Sequence, residues 1–434
     1  MKRQGGCGYA PCGGGKRMRQ AWDLVIIGGG ASGLSAAVFA ARRFRNARIL
    51  LLEKQARVGK KLLATGNGTC NITHREASPA HYHGADRSFT VPALAGFTPQ
   101  DTMEFFDSVG VPCAVRDNGR VYPVCESAAA VLDCLRLELQ RLGVEVRCDC
   151  AVQALRRAGE EFTVQMAAGT EAAKRVLCAA GGAAAPSLGG SGDGYALLTG
   201  LGYTRTPLFP SIVQLRTDTL YVRAVKGLRV DGTVTLQKDG RPLRSETGEI
   251  LFTEYGLSGP AVMQVSRAAG DWERQKRGSM TAVLNLLPDM TRPQLTERLK
   301  QRRMRLGDRP LADFLTGLFQ RRMGQTLIRA SGIGALSDRA GDCPELSMEH
   351  LADTLQSWMF SVTGTQGLAG AQVTAGGIAT EQFCPQTMES CKDKGLYACG
   401  ELLDVDGDCG GYNLQWAWAS AFAAVQAMGK EQKA

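Results

Sequence analysis

Residues 22–53 constrain this chain more than any other stretch. An apolar run at 22–27 (WDLVII) reads as a buried strand and leads into Gly28-Gly29-Gly30-Ala31-Ser32-Gly33. Ala31–Arg43 follows, rich in alanine with spaced apolar residues, a good helix by propensity. Residues 48–52 (RILLL) read as the next strand, and Glu53 stands at its end, twenty residues past Gly33. The G-x-G-x-x-G spacing alone is a weak signal. Set between a strand and a helix, with a carboxylate after the second strand, it is a strong signal for a dinucleotide site. Gly28 permits the tight turn, Gly30 lets a pyrophosphate approach the backbone, and Gly33 lets helix and strand pack closely. The helix start at Ala31 and Ser32 supplies unpaired N–H groups and partial positive charge. Glu53 suits a ribose diol and repels a 2′-phosphate, which favours FAD or NAD over NADP.

The rest of the chain reads as one α/β domain interrupted by an insert. Helices are expected at 98–109 and 127–142, and strands at 144–148, 163–166 and 175–178. The last of these strands runs into Ala179-Ala180-Gly181-Gly182, and a flexible loop at 189–194 precedes a short helix. From about 206 the spacing shortens. Strands are expected at 212–216, 222–228, 232–238, 241–244 and 280–286, with Asp239-Gly240 as a hairpin turn. Helices are expected within 291–330, starting near Pro293 and Pro310, and at 348–357. A strand at 396–399 (LYAC) and an alanine-rich helix at 414–428 close the first domain. The expected division is an extension at 1–20, a nucleotide domain at 21–205 and 366–430, and an insert at 206–365. Closure of the nucleotide fold by Gly400-Glu401-Leu402-Leu403-Asp404 favours FAD, an extended cofactor that takes contacts from both ends of the chain. No second G-x-G-x-x-G exists to hold a nicotinamide nucleotide. NAD(P)H is therefore expected only as a transient co-substrate.

Composition narrows the setting. No apolar run reaches the roughly 18 residues of a membrane span. The first twenty residues are glycine-rich, carry Lys2, Arg3, Lys16, Arg17 and Arg19, and lack an apolar core, so they read as a disordered extension and not as a signal peptide. The fourteen cysteines are then expected to be reduced, in the cytoplasm. Cys148 and Cys150 form a CxC without a second half, and only four histidines exist, so no metal is expected. Net charge is +9. A basic run at 298–309, with Arg321 and Arg322, reads as a solvated helical face or as an anion contact. The run lacks interleaved aromatics, so nucleic acid is not expected.

Five stretches resemble one known family: VIIGGGASGLSAA at 25–37, GKKLLATGNGTCNITH at 59–74, LFTEYGLSGPAVMQVS at 251–266, VTAGGI with TMES within 373–390, and GLYACGELLDVDGDCGGYNLQWAWAS at 395–420. The chain resembles the YhiN/BaiN-like flavoproteins, also described as aminoacetone-oxidase-like FAD proteins. The resemblance implies a glutathione-reductase-type FAD-binding Rossmann domain with an inserted β-barrel and helical module. It also implies that Lys61, Asn67, Cys70 and Asn71 lie along the FAD. Glu401, Asp404 and the run Gly410-Gly411-Tyr412-Asn413-Leu414 would hold the ribityl chain and the ring edge, near a helix N-terminus that favours a reduced, anionic flavin. Lys54, Val152, Ala180, Gly181 and Gly400 complete the candidate cofactor contacts. Ser258 reads as an N-cap ahead of Pro260, and His74 as a surface histidine or a proton donor. No catalytic residue is assigned.

Three functions fit these features. The first is an FAD-dependent, NAD(P)H-linked oxidoreductase acting on a small or steroid-like substrate, with amine oxidation as a variant. The second is an FAD-dependent RNA-modifying protein, and the third a flavin-binding protein without turnover. Pocket shape sets the substrate, and it is not written in one sequence.

Overall fold

A computed structural model describes residues 21–429, so the 1–20 extension lies outside it. The chain divides into two compact units: Phe209–Gln372, and the residues on either side of it.

The flanking unit is built on a five-stranded parallel sheet in the order Leu396–Ala398, Val176–Cys178, Leu24–Ile27, Ile49–Leu52, Glu145–Arg147. Leu24–Ile27 and Ile49–Leu52 are buried throughout (LVII, ILLL), the mark of strands covered on both faces. The edge strand Leu396–Ala398 comes from the C-terminal part of the chain. The first helix, Ala31–Arg43, meets the last, Tyr412–Met428, through an edge-on Phe39–Phe422 pair at 5.3 Å. The last helix is buried nearly all round. Its buried polar groups are paired: Gln415 accepts from Thr73 and Thr102 and donates to the Phe97 carbonyl, while Trp416 and Trp418 donate to the carbonyls of Gly400 and Ile72. A three-stranded antiparallel sheet, Val152–Ala158, Glu161–Met166 and Gly169–Ala173, completes this unit's larger elements.

Helix Ala128–Arg141 is tied to the first helix through Glu138, which accepts from Arg42 at 2.9 Å and from Arg141 at 2.7 Å. The bond from Arg141, then that from Arg42, holds the Glu138 carboxyl down at about 2, against burial acting the other way. A carboxylate depressed by folding stabilises fully above its unfolded value of 4.5, and the gain is lost as pH falls towards 2. The melting temperature is therefore expected to fall through that window, and less steeply in Glu138→Gln. Parallel acid melts of the two proteins check this.

The Phe209–Gln372 unit holds a closed barrel of six strands: Leu215–Thr217, Gly256–Ser258, Arg241–Phe252, Arg229–Lys238, Met280–Asn285 and Trp358–Thr365. Val234 and Leu236 point inward between more exposed neighbours, as strand alternation requires. Helices Pro260–Gln275, Arg292–Leu306, Arg321–Ser331 and Ser347–Gln356 accompany the barrel. Asp239 and Gly240 both have positive φ, +50° and +76°, and close the hairpin as a type I′ turn.

Several local expectations are corrected. Residues 222–228 form no strand. Val222–Val225 is a 3₁₀ turn whose buried residues, Val222 and Val225, stand three apart. The strand expected at 241–244 runs on to Phe252, and Trp358–Thr365 was not foreseen. Ser258 ends a strand, and the N-cap of the next helix is Gly259, at φ +99°, with no side-chain cap. Part of the basic run is held in place by the fold, while Arg298, Arg305 and Arg309 are exposed, as a solvated face requires. Lys300 pairs with Glu345 and Glu349. Arg302 donates to the carbonyls of Phe314 and Thr316, Arg303 to that of Gly341 and Arg322 to that of Lys226. These arginines tie helices to loops.

Candidate nucleotide and redox site

The glycine turn is closed by backbone. A Cβ on Gly28 (φ +110°) would lie 2.5 Å from the Ala179 carbonyl oxygen, and one on Gly33 would lie 1.9 Å from that of Gly28. A Cβ on Gly30 would meet no heavy atom within 4 Å. The turn is therefore packed on its inner side and open at Gly30. No acidic residue occupies the first turn of Ala31–Arg43, so the N–H groups at Ala31 and Ser32 keep their preference for an anion.

Glu53 is set by its neighbours. One carboxylate oxygen accepts from the Gly29 N–H at 2.8 Å, the other from the Gln55 N–H at 2.7 Å. Each oxygen keeps a second lone pair, the capacity a ribose diol needs. Val152 follows Cys150, whose N–H bonds the Glu53 carbonyl, so this loop runs beside the acid. Lys54 is engaged by Asp193 at 2.8 Å and by Ser191. Ala180 and Gly181 follow strand Val176–Cys178, and a Cβ on Gly181 (φ +71°) would meet nothing within 4 Å.

The C-terminal segment comes to the same end of the sheet. A Cβ on Gly400 would lie 2.1 Å from Ser32 Oγ. Lys61 and Glu401 pair at 2.7 Å, and the other Glu401 oxygen accepts from the Thr374 N–H. Asp404 is buried and accepts from the Ala85 N–H. Gly411 (φ +101°) caps Tyr412–Met428, again with no acid in the first turn, leaving the N–H groups of Tyr412, Asn413 and Leu414 for an acceptor. The Asn413 side chain is held in two bonds to Gly407.

Asn71 lies 9% exposed, and its buried Oδ1 has no hydrogen-bond partner among the described residues. A Cβ on Gly411 would come 3.0 Å from that oxygen. A buried acceptor without a donor is costly, and one beside a helix N-terminus fits a polar ligand edge. Asn67 is exposed, with φ +54°, in the kinked segment Leu62–Gly68. Cys70 is enclosed, 0% exposed, and burial pushes its thiol up to about 12, so it holds no thiolate at neutral pH. The structure thus brings together Gly28–Gly33, Glu53, Gly400, Lys61–Glu401, and Asn71 with Gly411. It leaves Cys70 in the core and Asn67 on the surface.

The sequence reading passed over one group. His81 and His83 stand beside Asp408, and the rings of His81 and His74 each pack on Tyr412, at 4.4 and 4.8 Å, with 6.5 Å between the two imidazoles. The signal was present: three of the four histidines fall within 74–83. His74 has both ring nitrogens engaged. Its Nε2–H goes to the Asn118 carbonyl and its Nδ1 accepts from the Glu76 N–H, while burial holds its pKa below the usual value.

Fold and site together define a dinucleotide-binding α/β protein of the Rossmann class. The chain belongs to the HI0933-like family: that family's Rossmann-domain model matches residues 22–427, and it is the flavoprotein family the motifs resemble. A 3-dehydro-bile acid delta(4,6)-reductase of Clostridium scindens is 38% identical over 93% of this chain and 98% of its own. A ribosomal RNA dihydrouridine synthase of Escherichia coli is 30% identical over 93% of this chain and 97% of its own. One of Haemophilus influenzae is 29% identical over 95% and 100%. Among the described residues no helix is long and apolar enough to cross a membrane.

Proposed function

We propose that the chain is an FAD-dependent oxidoreductase that reduces a carbon–carbon double bond conjugated to a carbonyl, in a small or steroid-like substrate. The observation that carries this is the 38% identity, over nearly the whole of both chains, to an enzyme named as a delta(4,6)-reductase of a 3-dehydro bile acid. Dihydrouridine is likewise uridine with its conjugated 5,6 double bond saturated, so both names describe one kind of bond reduction. Bound FAD would supply the hydride for that chemistry. The chain's own residues bind and orient. The Gly28–Gly33 turn and the first helix receive the pyrophosphate, and Glu53 receives the ribose. The Tyr412–Leu414 N–H groups favour negative charge on the reduced ring. NAD(P)H docks transiently as donor, in the cytoplasm.

A second reading, reduction of uracil in RNA, draws on the two relatives named as rRNA dihydrouridine synthases. It also draws on an open cavity of about 650 Å³ in the barrel unit, lined by Arg216, Arg223, Lys226, Glu254, Tyr255 and three threonines, where Arg216 pairs with Glu273 and Lys226 with Glu254. Phosphates contacted there would give binding that weakens steeply with salt.

One experiment addresses both. The purified protein is reduced anaerobically with NADH or NADPH, then offered a 3-keto-4-ene steroid or a uracil-containing rRNA fragment. Bleaching of the flavin followed by return of colour with the steroid is the expected result. No bleaching by either nucleotide would remove the nicotinamide link. Recolouring by the RNA alone would replace the first reading with the second.

A further inference from the structure

Three histidines around Asp408 and Tyr412 stand outside the residues assigned above to the nucleotide, and their hydrogen bonds sort them into different roles. His74 has both nitrogens committed, Nε2 to the Asn118 carbonyl at 3.0 Å and Nδ1 to the Glu76 N–H at 3.2 Å. His83 has Nε2 2.9 Å from Asp408 Oδ1, and its Nδ1 faces the Arg87 guanidinium at 3.5 Å. A guanidinium only donates, so neutral His83 carries its proton on Nε2 and gives it to Asp408. His81 is turned the other way. Its Nδ1 faces Asp408 Oδ2 at 3.5 Å, and its Nε2 has no partner among the described residues. The His81 side chain is 35% exposed, and its ring lies 4.4 Å from Tyr412, the first residue of the last helix.

The last helix begins where the ring edge of the cofactor is expected, beside the unpaired Asn71 oxygen. A histidine stacked on Tyr412 with a carboxylate behind Nδ1 and an open Nε2 is the arrangement of a general acid. We propose that His81 is the proton donor of the reduction, with Asp408 and His83 as the residues that position it. This rests on the double-bond reading above. Two electrons enter as hydride at the carbon remote from the carbonyl, supplied by reduced flavin that NAD(P)H has reloaded. The π pair of the double bond takes the Nε2 proton of the His81 imidazolium at the carbon next to the carbonyl. One C–H bond forms at each carbon, the double bond becomes single, and neutral His81 regains its proton from water. The ionisable groups around this array are Asp408, His83, Tyr412 and His74, with Glu76, Arg87, Arg120 and Cys409 beyond them.

With only four histidines in the chain, ¹⁵N-histidine NMR reads each ring nitrogen separately. Neutral His81 is expected as the Nδ1–H form, with His74 and His83 as Nε2–H forms, and Asp408→Asn is expected to remove the His81 preference. In stopped flow, androst-4-ene-3,17-dione serves as the probe. His81→Gln and His81→Asn are expected to slow its reoxidation of the reduced protein by about 100-fold or more and to flatten the pH profile. Reduction by NAD(P)H should stay within about twofold of wild type. Reoxidation of both variants at the wild-type rate and pH profile, or a neutral His81 protonated on Nε2, overturns the proposal while the double-bond reading stands. Failure of the wild-type reduced protein to react with the enone removes that reading, and the proposal with it.

Discussion

Gly30→Ala should leave the apoprotein standing but weaken FAD binding at least about 10-fold, whereas Gly33→Ala should damage the fold itself. The two glycines share one motif and differ in what surrounds them. At Gly33 a Cβ would lie 1.9 Å from the Gly28 carbonyl oxygen, and that oxygen belongs to a turn closed against Ala179. Backbone on both sides cannot give way as the end of a side chain can. The expected loss is about 3 kcal/mol or more, at the upper end of overpacking. Gly30 has φ −80° and ψ −167°, which alanine adopts without strain, and open space where the Cβ would project. Its apoprotein stability should change by less than about 1 kcal/mol, the cost of alanine at a helix cap. The methyl group then occupies the approach a pyrophosphate needs. Denaturant melts of the apoproteins with fluorescence titration of FAD read both effects. Wild-type FAD affinity in Gly30→Ala would mean that this turn does not receive the phosphates.

Glu171→Ala should cost about 3–5 kcal/mol although it lies on the three-stranded antiparallel sheet and away from the glycine turn. Glu171 and Arg147 pair at 2.6 Å with side chains 9% and 10% exposed, and Trp22 Nε1 donates to the other Glu171 oxygen at 2.9 Å. This carboxylate joins strand Gly169–Ala173 to the edge of the parallel sheet at Glu145–Arg147. Its removal leaves a guanidinium largely buried, with Glu145, itself 42% exposed, as its remaining carboxylate. Replacing both partners with apolar residues, Glu171→Leu with Arg147→Met, should recover most of the loss, because no orphaned charge remains. Urea midpoints of the single and double variants decide this. A single-variant loss below about 1 kcal/mol would show that the pair behaves as a surface ion pair.

Local patterns in the chain carried much of this architecture. The strand, glycine turn, helix and acid at 22–53 are contiguous, and each piece is dictated by residues within a few positions of it. The Asp239-Gly240 hairpin is local for the same reason. Failures came where a partner is far away or where two periods compete. Trp358–Thr365 becomes a strand by pairing with Met280–Asn285 and Leu215–Thr217, more than seventy residues back. Val222 and Val225 fit a short strand by composition, but their spacing of three buries both only in a helical turn.

The dinucleotide motif marked by Gly28, Gly30, Gly33 and Glu53 was thus determined by sequence alone, because its geometry is a property of one βαβ unit. Tertiary structure decided what joins it. Lys61 meets Glu401 across 340 residues, Gly400 meets Ser32, and His83 meets Asp408 across 325. It also decided that Cys70, prominent in its motif, is a core residue with an inert thiol. Local propensity acts over a few residues, whereas hydrogen-bond partners, burial and the tautomer of a histidine depend on which distant segments the fold lays side by side. The glycine turn could be read in the chain, but the histidine array beside Tyr412 exists only once the last helix is in place.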